Sequence, residues 1–366
     1  MPDFSIGVDL GGTNLRVAAI TTQGNLLDKI TLPAKVPLGP DYVITEMCDA
    51  ILRLSEKHKR SQNFLGVGVG IPGIIDLNTG MLRKSANLPG FDEYPVHTEI
   101  ERRLVARVVL ENDANVAALG EQWLGAAQGV ANAAVVTLGT GIGGGIVLGG
   151  RIWHGMNGMA GEFGHVTVEP EGPRCGCGNR GCAERFASAS AVIRMAREAI
   201  ARGQAPMLAQ AASSTDEFGA KSIYNLAIQG DEESSRIFRT FGRYLGILLA
   251  GLINVLNLEM FVIGGGVSSA WDAFAPSMFQ EVLQRSIVYA ATAPGSPRVD
   301  NVLTHPTVNL KNAGANALLA KSTERTTVIT RALLGSDAGL FGAARLAALV
   351  GDTDSIPKMS GDPLSL

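Results

Sequence analysis

The chain has 366 residues, 46% of them hydrophobic, with 31 Lys plus Arg against 34 Asp plus Glu and a formal net charge of -3. That length supports about two domains with ample core, so neither a disulfide nor a metal is needed merely to make it fold. The even charge balance, without a Lys/Arg-rich run, excludes a general nucleic-acid binder and points to small-molecule chemistry.

The opening residues Met1 to Asp9 carry neither a basic leader nor an apolar targeting core, so a cytoplasmic protein is expected. Phe4 to Asp9 alternates as a strand, Asp9 to Asn14 makes a turn, and Leu15 to Ile20 resumes as a second strand with a third beyond Gly24. Glycines between two strands, and not at the start of a helix, exclude both the dinucleotide fingerprint and the Walker A loop. Asp41 to Arg60 has apolar residues near helical period, Leu65 to Ile71 is an apolar strand closed by Pro72-Gly73, and Asn87 to Gly90 is a loop. Thr98 to Ala106 reads as a short helix and Arg107 to Leu110 as a strand.

Glu111-Asn112-Asp113-Ala114-Asn115 then stands between that strand and a helix from Ala114 to Gly125. Asp113 occupies the N-cap position, and it is also a carboxylate at a strand end, where α/β proteins collect ligands; both roles can hold together. Val135 to Leu148 is a second glycine turn between apolar strands, with Gly139, Thr140 and Gly141 at its tip, ~128 residues after Gly11 to Thr13. Bare backbone of this kind lets N–H groups converge on an anion, most simply a phosphate.

Gly149 to His165 is a glycine-dense loop ending in Gly161-Glu162-Phe163-Gly164-His165, and three of the four cysteines, Cys175, Cys177 and Cys182, follow within eight residues. An odd number of clustered thiols and C-x-C spacing argue against disulfides, and three thiolates with the His165 imidazole make a closed structural Zn²⁺ site. Cys48 lies in a helical apolar pattern and is read as packing. Helices are expected over Ser188 to Arg202, Ser222 to Gln229 and Asp231 to Asn254. The apolar run Tyr244 to Leu256 is too short and too interrupted to span a membrane. Met260 to Ile263 is a strand ending in Gly264-Gly265-Gly266, Asp272 to Ser286 a helix, and Asp337 to Val350 a final small-residue helix. Residues 292–325 have no assignable role, and 351–366 read as a loose tail.

Asp9-Leu-Gly-Gly-Thr13, Glu111-Asn-Asp113, Gly161-Glu-Phe-Gly-His165 and the Cys175, Cys177, Cys182, Glu184 cluster occur in an order that resembles the actin-like ATPase/sugar kinase superfamily, and within it the ROK family, from Ile6 through Ala348. The resemblance implies an α/β, two-lobed actin-like ATPase (ribonuclease H-like) fold with duplicated βββαβαβα domains around a central cleft. A small lobe would comprise 1–117 joined by a helix at about 337–350, and a larger lobe 118–336 with a zinc-binding insertion at 165–184.

The activity implied is ATP-dependent phosphorylation of a hexose 6-hydroxyl, most closely that of the glucose-using members, with Asp113 as general base. By the same resemblance Asn87, Asn112, Asp113, Glu162, His165 and Glu184 bind the sugar. Asp9, Gly11, Gly12, Thr13, Gly139, Thr140, Gly141, Gly264, Gly265 and Gly266 line the nucleotide, with Mg²⁺ on the phosphates near Asp9. His165 would serve both zinc and sugar, and a homodimer is implied. Kinases for N-acetylmannosamine, fructose or allose are the alternatives. Sugar-responsive repressors of the family carry a helix-turn-helix ahead of this fold, and only eight residues precede Asp9 here, so that reading is disfavoured.

Overall fold

The computed structural model describes residues 2–214, 218–293 and 326–351. The tail and most of the 292–325 stretch lie outside them. The chain divides into two units, Met1–Gly120 with Asp337–Leu366, and Glu121–Ser336.

In the first unit, β1 (Asp3–Leu10), β2 (Asn14–Thr21) and β3 (Leu26–Pro33) form an antiparallel meander. After α1 (Pro40–His58), β4 (Asn63–Ile71) returns parallel to β1, and after α2 (Val96–Glu101), β7 (Val108–Asn112) adds parallel to β4; β5 (Ile74–Asp76) and β6 (Met81–Lys84) make a small separate hairpin. The sheet order is β3-β2-β1-β4-β7. Phe4, Ile6, Val8 and Leu10 bury one face of β1 in a core shared with Val43, Ile44, Met47 and Ile51 of α1. The opposite face is covered by the last helix. A β-carbon on Gly7 would stand 2.1 Å from the Leu340 carbonyl, and one on Gly68 1.9 Å from that of Ala343, so helix backbone rests directly on sheet backbone. The expected helix at 98–106 is instead Val96–Glu101: Pro95 sets its start, and beyond it Leu104 is buried while Val105 is fully exposed, so the apolar residues there keep no helical face.

The second unit repeats the plan. Helix α3 (Asp113–Leu124) leads into β8 (Ala133–Leu138) and β9 (Ile142–Leu148), an antiparallel pair extended by β10 (Arg151–Ile152); β11 (Met260–Gly264) pairs parallel to β8, and β12 (Val328–Arg331) parallel to β11. The order β10-β9-β8-β11-β12 matches that of the first sheet position for position. Helices α4 (Ala189–Ala201), α5 (Pro206–Ser214), α6 (Ala220–Ile228), α7 (Glu232–Leu256), α8 (Trp271–Arg285) and α9 (Ile287–Thr292) fill the long connections, and the described residues close with α10 (Ala338–Gly351) in the first unit. Asp231 caps α7 by accepting the Ser234 N–H at 2.8 Å. Gly242 and Gly246 admit the backbone of α8 against α7, and the apolar run there packs in the hydrophobic core of this unit. Among the described residues, no helix is long and apolar enough to cross a membrane. The α5 helix and β12 strand were not anticipated; α5 lacks a clean apolar period, and β12 is only four residues long.

One buried carboxylate organises the start of the second unit. Glu121 is 0% exposed, and its Oε2 accepts the N–H groups of Ala126 at 2.8 Å and Leu333 at 3.1 Å, its Oε1 that of Leu334 at 2.8 Å. Such charge-assisted bonds offset the desolvation of a buried anion.

Candidate active site

In the first unit the parallel strands end on one row: Asp9 on β1 is opposite Gly70 on β4, and Gly70 opposite Glu111 on β7. Carboxyl ends of parallel strands are where α/β sheets present ligand-binding groups. Gly11 to Thr13 turn β1 into β2, with the Gly11 N–H donating to the Asn14 carbonyl at 2.8 Å and Gly12 and Thr13 exposed. The Asn87 carbonyl lies 2.8 Å from where a β-carbon on Gly12 would stand, so the structure brings Asn87 against this hairpin. The carboxylate of Asp9 is bound by Arg16 Nη1 at 3.0 Å across the hairpin. Burial lifts the Asp9 carboxyl above its ordinary range, with the Arg16 guanidinium opposing that rise. Arg16 was missed in the sequence; the signal was available, since a short hairpin fixes Asp9 directly opposite it.

Asn112 ends β7 and Asp113 begins α3. The capping oxygen belongs to Asn112, not to Asp113 as the sequence position suggests: Asn112 Oδ1 accepts the Ala114 N–H at 2.9 Å and the Asn115 N–H at 3.3 Å. The physical reason is that Asp113 has already entered the helix, leaving Asn112 as the last extended residue. Asp113 Oδ1 also lies 2.9 Å from the Ala114 nitrogen, so that N–H is shared between the two side chains. Asn112 Nδ2 donates to the Gly73 carbonyl at 3.2 Å.

In the second unit Gly139 to Gly141 turn β8 into β9, closed by the Gly139 N–H on the Gly141 carbonyl at 3.0 Å. Gly265, in the left-handed region at φ 81, presses on the backbone of Leu138, 2.5 Å from the position of an added β-carbon. This seats the Gly264–Gly266 triplet against the end of β8. The Gly161–His165 turn packs on the start of β9, with the Ile142 carbonyl 2.5 Å from where a β-carbon on Gly164 would be. Glu184 completes the group: its Oε2 fills the space beside Gly141, 2.4 Å from the site of a β-carbon there. Gly139 to Gly141, Glu162, His165, Glu184 and Gly264 to Gly266 are therefore gathered at one end of this unit.

Beside them, ligand atoms of His165, Cys175, Cys177 and Cys182 all lie within 4.8 Å of one another. A tight turn, with the Cys175 N–H on the Asn179 carbonyl at 2.8 Å, folds the first two thiols back onto Cys182. Cys175 Sγ is 3.6 Å from His165 Nδ1 and donates to Glu184 Oε1 at 3.4 Å, while Cys177 and Cys182 Sγ are 3.7 Å apart. Burial first, and then the neighbouring thiols, push Cys182 up to about 12; the Asn179 N–H lowers exposed Cys177. All three are unbridged.

Two sheets of identical strand order, each with a glycine hairpin between its first two strands, define the duplicated actin-like ATPase class. Within that class the chain belongs to the ROK family, whose model matches residues 5–303. It is 42% identical over 269 residues to a glucokinase of Halalkalibacterium halodurans, covering 73% of this chain and 81% of that protein. It is 38% identical over 299 residues to a glucokinase of Thermotoga maritima, covering 81% and 93%. Among solved structures, a ROK family glucokinase from Streptomyces griseus in complex with glucose and AMPPNP superimposes with a TM-score of 0.71 at 30% identity, covering 94% of this chain and 99% of that one.

Proposed function

We propose that this protein is an ATP-dependent hexose 6-phosphotransferase acting on glucose, with Asp113 as the general base. The observation that carries the reading is the carboxylate at the end of β7, partly exposed at the first turn of α3, beside an asparagine that caps the helix in its place. Because Asn112 Oδ1 also accepts the Ala114 N–H, the Asp113 carboxylate can turn to a sugar hydroxyl without orphaning a helix amide. Similarity to two glucokinases and to a glucose and AMPPNP complex supports both the reaction and the sugar.

Phosphoryl transfer asks the protein mainly to position reactants and neutralise charge. Asp113 takes the proton of the sugar O6, the O6–Pγ bond forms as the bond from Pγ to the bridging oxygen breaks, and ADP leaves. Asn87, Asn112, Glu162, His165 and Glu184 supply acceptors and donors for the remaining hydroxyls. The glycine hairpin tips at Gly11 to Thr13 and Gly139 to Gly141 line the phosphates, the Gly11 and Gly139 N–H groups closing the turns, and Gly264 to Gly266 serve the nucleoside. Mg²⁺ fits the hard carboxylate oxygens of Asp9, which would hold it directly or through water, and when bound it neutralises phosphate charge. Three thiols and an imidazole converging within 4.8 Å fit a Zn²⁺ ion, which His165, Cys175, Cys177 and Cys182 would hold with four protein ligands in a structural role. A cytoplasmic homodimer completes the reading; sedimentation of a monomer at micromolar concentration would remove the dimer.

The test is a coupled ADP-release assay of Asp113→Asn across glucose, N-acetylmannosamine, fructose and allose. Turnover of glucose is expected to fall on the order of 10²-fold or more. Near-wild-type turnover would remove the base, and a higher kcat/KM for another hexose would replace the sugar.

A further inference from the structure

Two buried residues flank Asp113 and are tied to each other. Glu111, 3% exposed at the end of β7, accepts with one oxygen, Oε1, both the Asn112 N–H and the Asn115 Nδ2 amide, each at 2.9 Å. Asn115, 1% exposed on α3, returns its backbone N–H to Asn112 Oδ1 at 3.3 Å. The residues on either side of Asp113 are thereby closed into one ring of hydrogen bonds, anchored to the neighbouring loop through Asn112 Nδ2 and the Gly73 carbonyl.

Asn115 meets this arrangement at a cost. Its Oδ1 is buried without a hydrogen-bond partner among the described residues. Leaving a buried acceptor unpaired is destabilising. The amide cannot relieve this by flipping, because its oxygen would then face the Glu111 carboxylate. Glu111 thus dictates the orientation of Asn115, and the pair fixes where the strand stops and the helix starts.

We infer that Glu111 and Asn115 are positioning residues for Asp113: their clasp holds the Asn112–Asp113 peptide so that the base keeps one direction while its carboxylate leaves the Ala114 N–H. Neither residue is assigned a contact with substrate. The inference rests on Asp113 being the base. Small displacements of a reacting group cost about 10²-fold in rate, and Asn112 keeps its own bonds to the Gly73 carbonyl and the Ala114 N–H, so the clasp acts chiefly on kcat.

The experiment is steady-state kinetics on Glu111→Ala, Glu111→Gln, Asn115→Ser and the Glu111→Ala/Asn115→Ser double variant, with circular dichroism on each. Glu111→Ala and Asn115→Ser are expected to lose on the order of 10–10²-fold in kcat with KM for glucose and ATP within about 3-fold of wild type. Glu111→Gln keeps an acceptor oxygen and is expected to restore most of kcat, a rescue that lost packing alone would not give. The double variant is expected to lose no more than the worse single one, since both remove the same clasp. Wild-type kcat in Glu111→Ala, losses that multiply in the double variant, or a loss confined to KM would each overturn the inference. Should Glu111→Ala fail to fold, Asn115→Ser against Glu111→Gln decides by the same criterion. An inactive Asp113→Asn beside a fully active Glu111→Ala sinks this inference alone; an active Asp113→Asn sinks the base assignment itself.

Discussion

His165 stands with Nδ1 3.6 Å from Cys175 Sγ and Nε2 3.8 Å from Glu162 Oε2, so one imidazole has thiols on one side and a proposed sugar-binding carboxylate on the other. Glu184 repeats the relationship through Cys175. The cysteine cluster is thus in direct contact with two of the side chains proposed to hold the hexose. A metal bound there fixes the tautomer that His165 presents.

Metal content follows directly. Elemental analysis is expected to find zinc at about one atom per chain, the stoichiometry of a closed four-ligand site. Removal by a strong chelator is expected to lower the melting temperature and to raise the glucose KM. A metal-free protein with unchanged melting and unchanged KM would refute the structural site.

Gly141 gives a second test, within one hairpin. A β-carbon there would stand 2.4 Å from Glu184 Oε2, well inside contact distance, so Gly141→Ala must displace the carboxylate or the loop tip. Because Glu184 is assigned to the sugar, the variant is expected to raise the glucose KM by about 10-fold, roughly the worth of one hydrogen bond to a charged group. A comparable rise confined to the ATP KM would show that the loop moves and Glu184 stays.

Asp9 makes a prediction about pH. Its carboxyl is raised in the folded protein by burial, so the folded chain holds that proton more tightly than the unfolded one, and this contribution to stability is lost as pH rises from the unfolded value of 3.8 through the folded one. Asp9→Asn removes that penalty. Its urea midpoint relative to wild type is expected to be higher at pH 7 and to converge as pH falls toward 4, while Mg-dependent turnover drops. A stability difference that grows on acidification would contradict the sign.

Glu121 is a test of the fold. Glu121→Ala removes the acceptor of three N–H groups, that of Ala126 buried and those of Leu333 and Leu334 partly so, and destabilisation on the order of 2–3 kcal/mol is expected in urea unfolding. Glu121→Gln must turn its NH₂ toward at least one of those donors and is expected to cost roughly 1–3 kcal/mol. Wild-type stability in both variants would show that the carboxylate is replaceable by water.

What the sequence revealed was local. Two glycine hairpins between period-2 strands, the spacing of Cys175, Cys177 and Cys182 and the helical run now called α7 are each written in a few consecutive residues. The partners of Glu121 at Leu333 and Leu334 are not, because no short-range pattern announces which amides a buried carboxylate will meet. Asn112 in place of Asp113 as the cap was a one-residue question, and helix boundaries are uncertain at that scale. The Asp9–Arg16 pair was within reach, since hairpin register follows from turn length.

The placement of α10 has a consequence for synthesis. This helix, last among the described elements, covers β1 and β4, the earliest parallel pair, with Ser5 Oγ donating to the Ala344 carbonyl at 2.6 Å and Gly342 backed onto the Val116 carbonyl of α3. A ribosome therefore delivers the sheet with the Gly7 and Gly68 part of one face bare, and that part stays uncovered until the whole intervening unit has emerged. Nascent chains halted before Ala338 should accordingly be clients of chaperones, and β1 should gain protection from proteases only after α10 has followed it.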